Sequence, residues 1–356
     1  MKYLKDIETF TSNKTVFCGI DIHLKNWNLC FMCDGQLVEK INITGNADRL
    51  IQHASRFYHR ASQVHFVYEA GFSGFHLYRK LEAAGFECTI TPANRVPSVL
   101  DKVKTDKRDA QKLAQYLSGG LLKAVFVPPL TVEAERQVLR MRNSYQKKLT
   151  QVKNQIKSLL NLHGIIWSDS DGNKWTKRYL AWLETVEFEN ENYRFILDQH
   201  LASFRFNREK IALLTRRIRD LSKNSTYHGN YMRLTACKGI GLITAMTFLL
   251  ELHDVVRFPS AEKFCSYLGL TSSQYSSGEH VRMGHITREG NSHVRRVLVE
   301  SAWTVIRHDP FLREKYDRIR SRGTNGKKAI VAVARSLAVR LRRCLIDQVP
   351  YELGVC

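Results

Sequence analysis

Between residues 16 and 43 three short apolar runs follow one another with little more than a turn between them. Val16-Phe17-Cys18-Gly19-Ile20-Asp21-Ile22-His23 reads as one strand and residues 27–33 as a second, and an Asp34-Gly35 turn leads into a third at 37–43. Together they predict a three-strand meander with an acid, Asp21, near the end of its first strand. Residues 64–69 are a further strand, stopped by Ala70-Gly71, and their apolar run fits burial on both faces. Glu69 therefore falls at a strand end. A helix starting near Phe75 closes at Ala83-Ala84-Gly85, and 88–91 is the next strand. This alternation of strand and helix predicts an α/β domain over residues 1–125.

The pattern then changes. Val138, Met141, Tyr145, Leu149, Val152, Ile156 and Leu159 recur at steps of three or four, the signature of a long amphipathic helix with a coiled-coil-like seam. Such a seam fits either a dimer or a helix packed on its own domain, and Lys147, Lys148, Lys153 and Lys157 on the same helix would face RNA or solvent. Residues 168–173 read as a turn, 174–222 return to helix with an acidic patch at 184–191, and a polar stretch around Gly229 marks a last boundary. The expected division is 1–125, a helical coiled-coil region at 126–228, and a helical domain at 229–356. In the last of these, Lys238-Gly239-Ile240-Gly241 between two helical runs resembles a helix-hairpin-helix, whose backbone amides grip phosphate, although a simple helix break accounts for it too. Val294, Val297, Leu298, Ser301, Ala302 and Val305 define an apolar helix face that leaves Arg295 and Arg296 to phosphate. A final helix at 327–345 presents Arg335, Arg340, Arg342 and Arg343 as a solvated basic face.

Four acids carry the chemistry. Asp21 and Glu69 sit at strand ends, while Asp106 and Asp109, three residues apart, share one face of a helix that continues through Leu113, Ala114 and Leu117. Hard divalent cations take oxygen ligands, and two-metal phosphodiester chemistry needs carboxylates converging from separate elements. Each acid alone has an ordinary explanation: a turn former, a helix cap, a buried partner for arginine. Their order and contexts favour the metal reading, and Asp101 is read as surface. Lys104, Lys107 and Arg108 surround the last two acids with positive charge.

Gly-Ile-Asp at 19–21, Tyr-Glu-Ala at 68–70 and Lys-Thr-Asp-Lys-Arg-Asp-Ala at 104–110 resemble, in order and approximate spacing, the acidic motifs of the insertion-sequence 110 family of transposases, to which the pilin-gene invertases are also similar. In the second half, Lys238-Gly239-Ile240-Gly241, residues 264–270, Tyr275-Ser276-Ser277-Gly278, Gly290-Asn291 and Arg295-Arg296 resemble that family's serine-domain blocks, so the likeness covers nearly the whole chain. The resemblance implies an α/β RNase H-like (RuvC-like) DEDD domain, a long helical coiled-coil insert and an all-α C-terminal serine domain. It further implies Mg2+ or Mn2+ held by Asp21, Glu69, Asp106 and Asp109, and Ser277 as nucleophile in a covalent serine–DNA intermediate. Donor and target DNA, a guide RNA transcribed from the element, and a composite site in a dimer or tetramer are the implied partners. Nucleic-acid contacts are expected at Lys104, Lys107, Arg108, Lys238, Gly239, Gly241, Arg295 and Arg296. Chemistry alone leaves the serine open: serine needs an activating base or metal, the segment has ordinary loop composition, and Ser276 is an immediate rival. His280, His285 and His293 lie close enough in sequence for proton transfer, phosphate contact or plain exposure.

Charge agrees with a polyanionic partner. Lys and Arg total 55 against 34 acids, a formal charge of +21, which favours nucleic acid through counterion release. No apolar stretch reaches the roughly 18 to 20 residues that span a bilayer, and the first residues lack the apolar core of a signal peptide. A cytoplasmic, nucleoid-associated protein of bacterial or archaeal type is expected, with no membrane partner. The eight cysteines are scattered in apolar runs. Cys30 and Cys33 have CxxC spacing, but residues three apart on a strand point to opposite faces, so buried thiols are expected rather than zinc or disulfides. The rivals are a junction nuclease of the same fold, which needs no serine, an invertase of the same family, and a non-enzymatic RNA-binding protein, which leaves the acids without purpose.

Overall fold

The computed structural model describes residues 2–96, 106–167, 175–277 and 280–353, in two compact units, Met1–Val127 and Pro128–Cys356. In the first unit α1 (Lys2–Thr11) precedes the expected meander of β1 (Thr15–Ile22), β2 (Asn26–Cys33) and β3 (Gln36–Thr44). There follow α2 (Ala47–Phe57), β4 (Gln63–Glu69), α3 (His76–Ala83), β5 (Glu87–Thr91) and α4 (Asp106–Ser118). The sheet order is β3-β2-β1-β4-β5, antiparallel within the meander and parallel where β4 joins β1 and β5 joins β4. α2 forms because Asn46 caps the backbone amides of Asp48 and Arg49, while Ala47, Leu50 and Ala54 turn one face to the core.

The pleat gives the sheet two different faces. Val16, Cys18 and Ile20 of β1, with Leu29 and Phe31 of β2, pack against Leu50 and Ala54 of α2 and Leu77 and Leu81 of α3. The alternate residues face α4, where Cys30 and Met32 meet Ala110 and Ala114. Cys30 and Cys33 are buried free thiols, as the strand period requires.

The second unit is built on two 33-residue helices, α5 (Leu130–Leu162) and α7 (Glu191–Lys223), joined through α6 (Lys177–Thr185). They run antiparallel: Arg142 donates to Thr215, Tyr145 meets Phe206 and His163 meets Tyr193. The seam is thus packed within one chain. Leu149, Val152, Ile156 and Leu159 are buried as expected, with Leu197, Leu201 and Phe204 opposite. Nearer the start of α5 the buried stripe moves to Leu139 and Asn143 and leaves Met141 half exposed. A straight helix drifts relative to a 3.5-residue repeat, and α9 there provides a second surface to cover.

The chain continues through α8 (Ser225–Thr235), α9 (Leu242–Leu252), α10 (Ala261–Tyr267), β6 (Ser272–Ser277), β7 (His280–Ile286), α11 (Ser292–Val305), α12 (Pro310–Arg320) and α13 (Gly326–Asp347). The expected apolar face of α11 is the buried one, residue for residue. Two expectations are corrected. The C-terminal region is not all-helical, because residues 272–286 pair as an antiparallel two-stranded hairpin. Nor is α13 uniformly solvated on its basic side. Arg340 is 8% exposed and paired with Asp309 at 2.9 Å, and Arg342 donates to the carbonyl of Phe258. Both arginines join elements remote in sequence, which helical periodicity does not reveal.

A fully buried charge in this unit is Glu251, whose carboxylate takes a bidentate pair of hydrogen bonds from Arg140 at 2.8 Å each and one from the Asn291 side-chain amide at 3.0 Å. Arg136 lies 3.8 Å away and donates to the Leu250 carbonyl. Burial works against the charge on Glu251, but the pull of Arg140, Asn291 and Arg136 exceeds it and holds the carboxyl below its ordinary range. The group therefore contributes stability above the pH at which it titrates in the unfolded chain, and that contribution is lost as pH falls through its lower folded value. Glu251→Gln leaves Arg136, largely buried, and Arg140, 38% exposed along its side chain, short of a counter-charge. We expect a loss below the roughly 3 to 5 kcal/mol of a fully buried broken pair, because solvent screens Arg140, seen as a lower melting temperature at pH 7 and a smaller difference from the parent chain in acid. An unchanged melting temperature would refute the network's role.

Candidate active site

The register of the sheet places the first two acids together. The last β1–β4 pair is Ile20 with Tyr68, so Asp21 and Glu69 are the next residues on strands about 4.8 Å apart. Both share the pleat face of Gly19 and Val67, the one that α4 covers. Asp109 lies on the first turn of α4. Asp21, His23, Glu69, Phe72, Ser73 and Asp109 line one cavity of about 330 Å³.

What brings α4 so near is the absence of a side chain at Gly19. A Cβ there would lie 1.9 Å from the Ala110 carbonyl oxygen and 2.8 Å from the Ala114 amide nitrogen. Only hydrogen fits. With Ala110 and Ala114 also small, the helix settles on the strand and Asp109 is carried to the cavity rim. The opposite wall is the loop after β4. The buried Tyr68 hydroxyl donates to the Gly74 carbonyl at 3.0 Å and accepts from the Tyr78 amide, while Ala70 donates to Thr91 of β5. Burial raises the Tyr68 phenol well above its usual range, so it stays a neutral donor. The Asp21 carboxylate meets His23 at 3.0 Å.

Asp106 begins α4, one turn before Asp109, but its side chain and that of Lys107 lie outside the described residues, as do Lys104 and Asp101 altogether. Arg108 is exposed. Among the described residues no three His, Cys, Asp or Glu side chains stand close enough to hold a metal ion jointly. His23, Phe72 and Ser73 were not singled out from sequence. Phe72 and Ser73 follow a strand end by three and four residues, a position that only the loop's path makes significant.

In the second unit Ser276 and Ser277 belong to β6, opposite Val281 and His280 of β7. Their side chains, and Gly278, lie outside the described residues. The base of this hairpin is clamped. At Gly290, with φ +110°, a Cβ would stand 2.1 Å from the Tyr267 carbonyl oxygen, and at Gly269, with φ +65°, 2.4 Å from that of Glu289. Asn291 donates its amide to Tyr267, and Arg295 donates to the Leu268 carbonyl at 2.8 Å. Arg295 is thereby engaged in holding the hairpin, and burial lowers its pKa. Of the Lys-Gly-Ile-Gly segment, Lys238 is exposed, Gly239 lies against Val305 of α11, and Gly241 caps α9. Arg296 lines a separate cavity with Arg140 and Lys147. No helix among the described residues is long and apolar enough to cross a membrane.

Carboxylates gathered from two adjoining strand ends and a helix, in a chain of charge +21, are the equipment of an enzyme that acts on nucleic-acid backbones. Known proteins agree. The IS110-type DEDD transposase family matches residues 18–165, and the family described as transposase IS116/IS110/IS902 matches 231–317. The chain is 35% identical to the Sinorhizobium fredii protein y4qE over 68% of its own length and 58% of that protein's. It is 24% identical to the transposase for insertion sequence element IS1533 of Leptospira borgpetersenii over 93% of its length and 95% of the relative's. A further relative is the transposase for IS1111A of Coxiella burnetii, 24% identical over 81% of this chain and 79% of the other. The chain belongs to the IS110 family of transposases, enzymes of DNA strand transfer.

The Gly19 contact yields a test. Gly19→Val forces α4 off β1, because the obstructing atoms are backbone and cannot rotate away. Overpacking of this kind costs about 1 to 3 kcal/mol, and a displacement of about 1 Å at a reacting centre costs on the order of 100-fold in rate. Strand cleavage should fall much further than the melting temperature. Full activity in Gly19→Val would show that the close approach of α4 is dispensable.

Proposed function

We propose that this chain cuts and rejoins DNA through a transient serine–DNA linkage, as the transposase of an insertion element. The observation that carries this reading is the convergence of Asp21, Glu69 and Asp109 on one cavity. The five-stranded mixed sheet with acids on neighbouring strand ends supports an RNase H-like, RuvC-like first domain. Carboxylate oxygens are the donors that Mg2+ and Mn2+ prefer, and Asp21, Glu69, Asp109 and, one turn earlier on α4, Asp106 are the residues that would hold such ions. When bound, divalent ions stabilise charge on the attacking and leaving oxygens of a phosphodiester.

The remaining work falls to the chain. Asp21 is oriented by His23, and the Tyr68 hydrogen bonds keep the loop wall in place. The Ser277 hydroxyl attacks phosphorus and loses its proton, a phosphorus–oxygen bond of the DNA breaks, and the displaced oxygen departs with a proton. The hydroxyl of another strand then attacks the serine diester and regenerates Ser277. One phosphodiester replaces another, so no external energy source is needed. Ser277 is assigned through the Tyr-Ser-Ser-Gly likeness to the family, and the partners proposed on the same likeness are donor and target DNA, an element-encoded guide RNA and a second or further copy of the chain. The three-part division at 125 and 228 is likewise proposed.

Ser277→Ala should abolish a denaturant-resistant protein–DNA adduct and leave nucleic-acid binding intact; an adduct that persists moves the nucleophile to Ser276 or elsewhere. Asp21→Asn, Glu69→Gln and Asp109→Asn should each eliminate cleavage, and EDTA should reproduce their effect. Cleavage undiminished in EDTA would refute the metal assignment.

The guide is tested by purification. The isolated protein should carry a discrete RNA, and RNase treatment should stop DNA cleavage. Recovery of random fragments only, with cleavage insensitive to RNase, would argue against a guide.

A further inference from the structure

A second cavity, about 580 Å³ and wholly within the second unit, lies between α5 and the start of α11, with Ile286 of β7 on its wall. Its polar groups divide sharply into those already committed and those without partners. Arg140 is held by Glu251, and Arg295 by the Leu268 carbonyl. Arg142, a close neighbour, turns to Thr215. Besides the His293 ring, three nitrogen-bearing groups remain. Asn143 is 4% exposed, lines the cavity, and its Nδ2 has no hydrogen-bond partner; the Nε of Arg296 is likewise buried and unpartnered. Lys147, one helical turn beyond Asn143, has no ion-pair partner among the described residues. Ser144 and Ser292 add hydroxyls, and Glu300, exposed, is the one acid on the lining.

Buried donors left unpaired cost about 1 to 3 kcal/mol each, and a bound ion or ligand that completes the set is one reason native chains keep them. Here both buried unpaired atoms are donors, Arg296 and the exposed Lys147 are cations, and the first turn of the 14-residue α11 adds the positive end of its dipole. The surrounding field is positive as well: burial, with Arg140, Arg296 and Lys147 nearby and against the pull of Glu251, depresses the pKa of His293. The matching ligand is a compact anion rich in acceptor oxygens. A cavity many times the roughly 30 Å³ that a water occupies in the liquid has room for a phosphate with its flanking sugars.

We infer that this cavity seats one backbone phosphate of a nucleic-acid strand, gripped by Arg296, Lys147 and Asn143. The inference rests on the reading of this chain as an enzyme of nucleic acid, and it gives the strand an anchor at the hairpin's base. Ser272, paired with Ile286 there, is five residues from Ser277, roughly 17 Å along a strand. The Glu251 network holds the cavity in shape, since it fixes Arg140 on one wall and Asn291, the cap of α11, on the other.

The test uses the full chain without added metal, so that binding is read apart from cleavage. Fluorescence anisotropy would follow duplex DNA, single-stranded DNA and single-stranded RNA of equal length across a salt series. Arg296→Gln should weaken at least one of them and reduce the log–log salt slope by about 0.9 for duplex or about 0.7 for a single strand. The nucleic acid whose slope changes identifies the strand. Arg296→Lys, which keeps the charge but lacks the Nε–H donor, should restore the slope and only part of the affinity. Should Arg296→Gln melt early, Lys147→Gln at the same cavity provides the same reading. Affinity and slope unchanged for all three nucleic acids in a folded variant would overturn the inference. A chain that shows the slope change yet never cleaves would overturn the proposed reaction and leave the phosphate seat standing.

Discussion

The candidate active cavity depends on how closely a helix can approach a strand. α4 lies on β1 at a separation that no side chain at position 19 allows, and this brings Asp109 to the same cavity as Asp21 and Glu69. The acids themselves repel and would not gather unaided. Apolar packing of Ala110 and Ala114 on Cys30 and Met32 supplies the attraction, and the parallel register of β1 and β4 supplies the alignment. The carboxylates are thus held by elements whose stability comes from the core, as a preorganised site requires.

The second unit solves a different problem. On the phosphate seat proposed above, its positive charges are kept close together for a polyanion and yet must not unfold the helices that carry them. Glu251 resolves this by neutralising Arg140 inside the protein, leaving Arg296 and Lys147 uncommitted a short distance away. The same network reaches Asn291, whose side chain caps α11 by accepting from the His293 and Val294 amides. Charge neutralisation, helix capping and the clamp on the β6–β7 hairpin therefore meet within a few residues. This explains why Gly290-Asn291 and Arg295 stand together in the sequence, a grouping that the family likeness marks without giving its cause.

Much of the first unit could be read directly from the sequence. Short apolar runs and the Asp34-Gly35 turn marked the strands of the meander to within a residue or two, because apolar runs and turn residues are local properties of the chain. The strand-end positions of Asp21 and Glu69 were legible for the same reason. Their adjacency was not, since it depends on β4 pairing with β1 across an intervening hairpin and helix. In the second unit the local signals were weaker. The long helices and the face of α11 followed from periodicity, but the polar run Ser272–Ser277 looked like a loop and became a strand only by pairing with β7. Arg340 and Glu251 were similarly opaque, because a charge on a helix is buried or solvated according to what lies opposite.

The sequence by itself determined the elements outside the β6–β7 hairpin, the positive balance of charge, and the family to which the acidic and serine motifs point, all of which depend on residue identity and short-range order. The tertiary structure decided which of those residues meet. It brought Asp109 and Asp21 to one cavity through a glycine, folded the apolar seam of α5 against α7 of the same chain, and tied Arg140, Arg295 and Arg340 into the fold while leaving the Arg296 Nε without a partner. That division has a physical origin: hydrogen-bond satisfaction and burial are properties of neighbours in space, and a chain's own order does not name them.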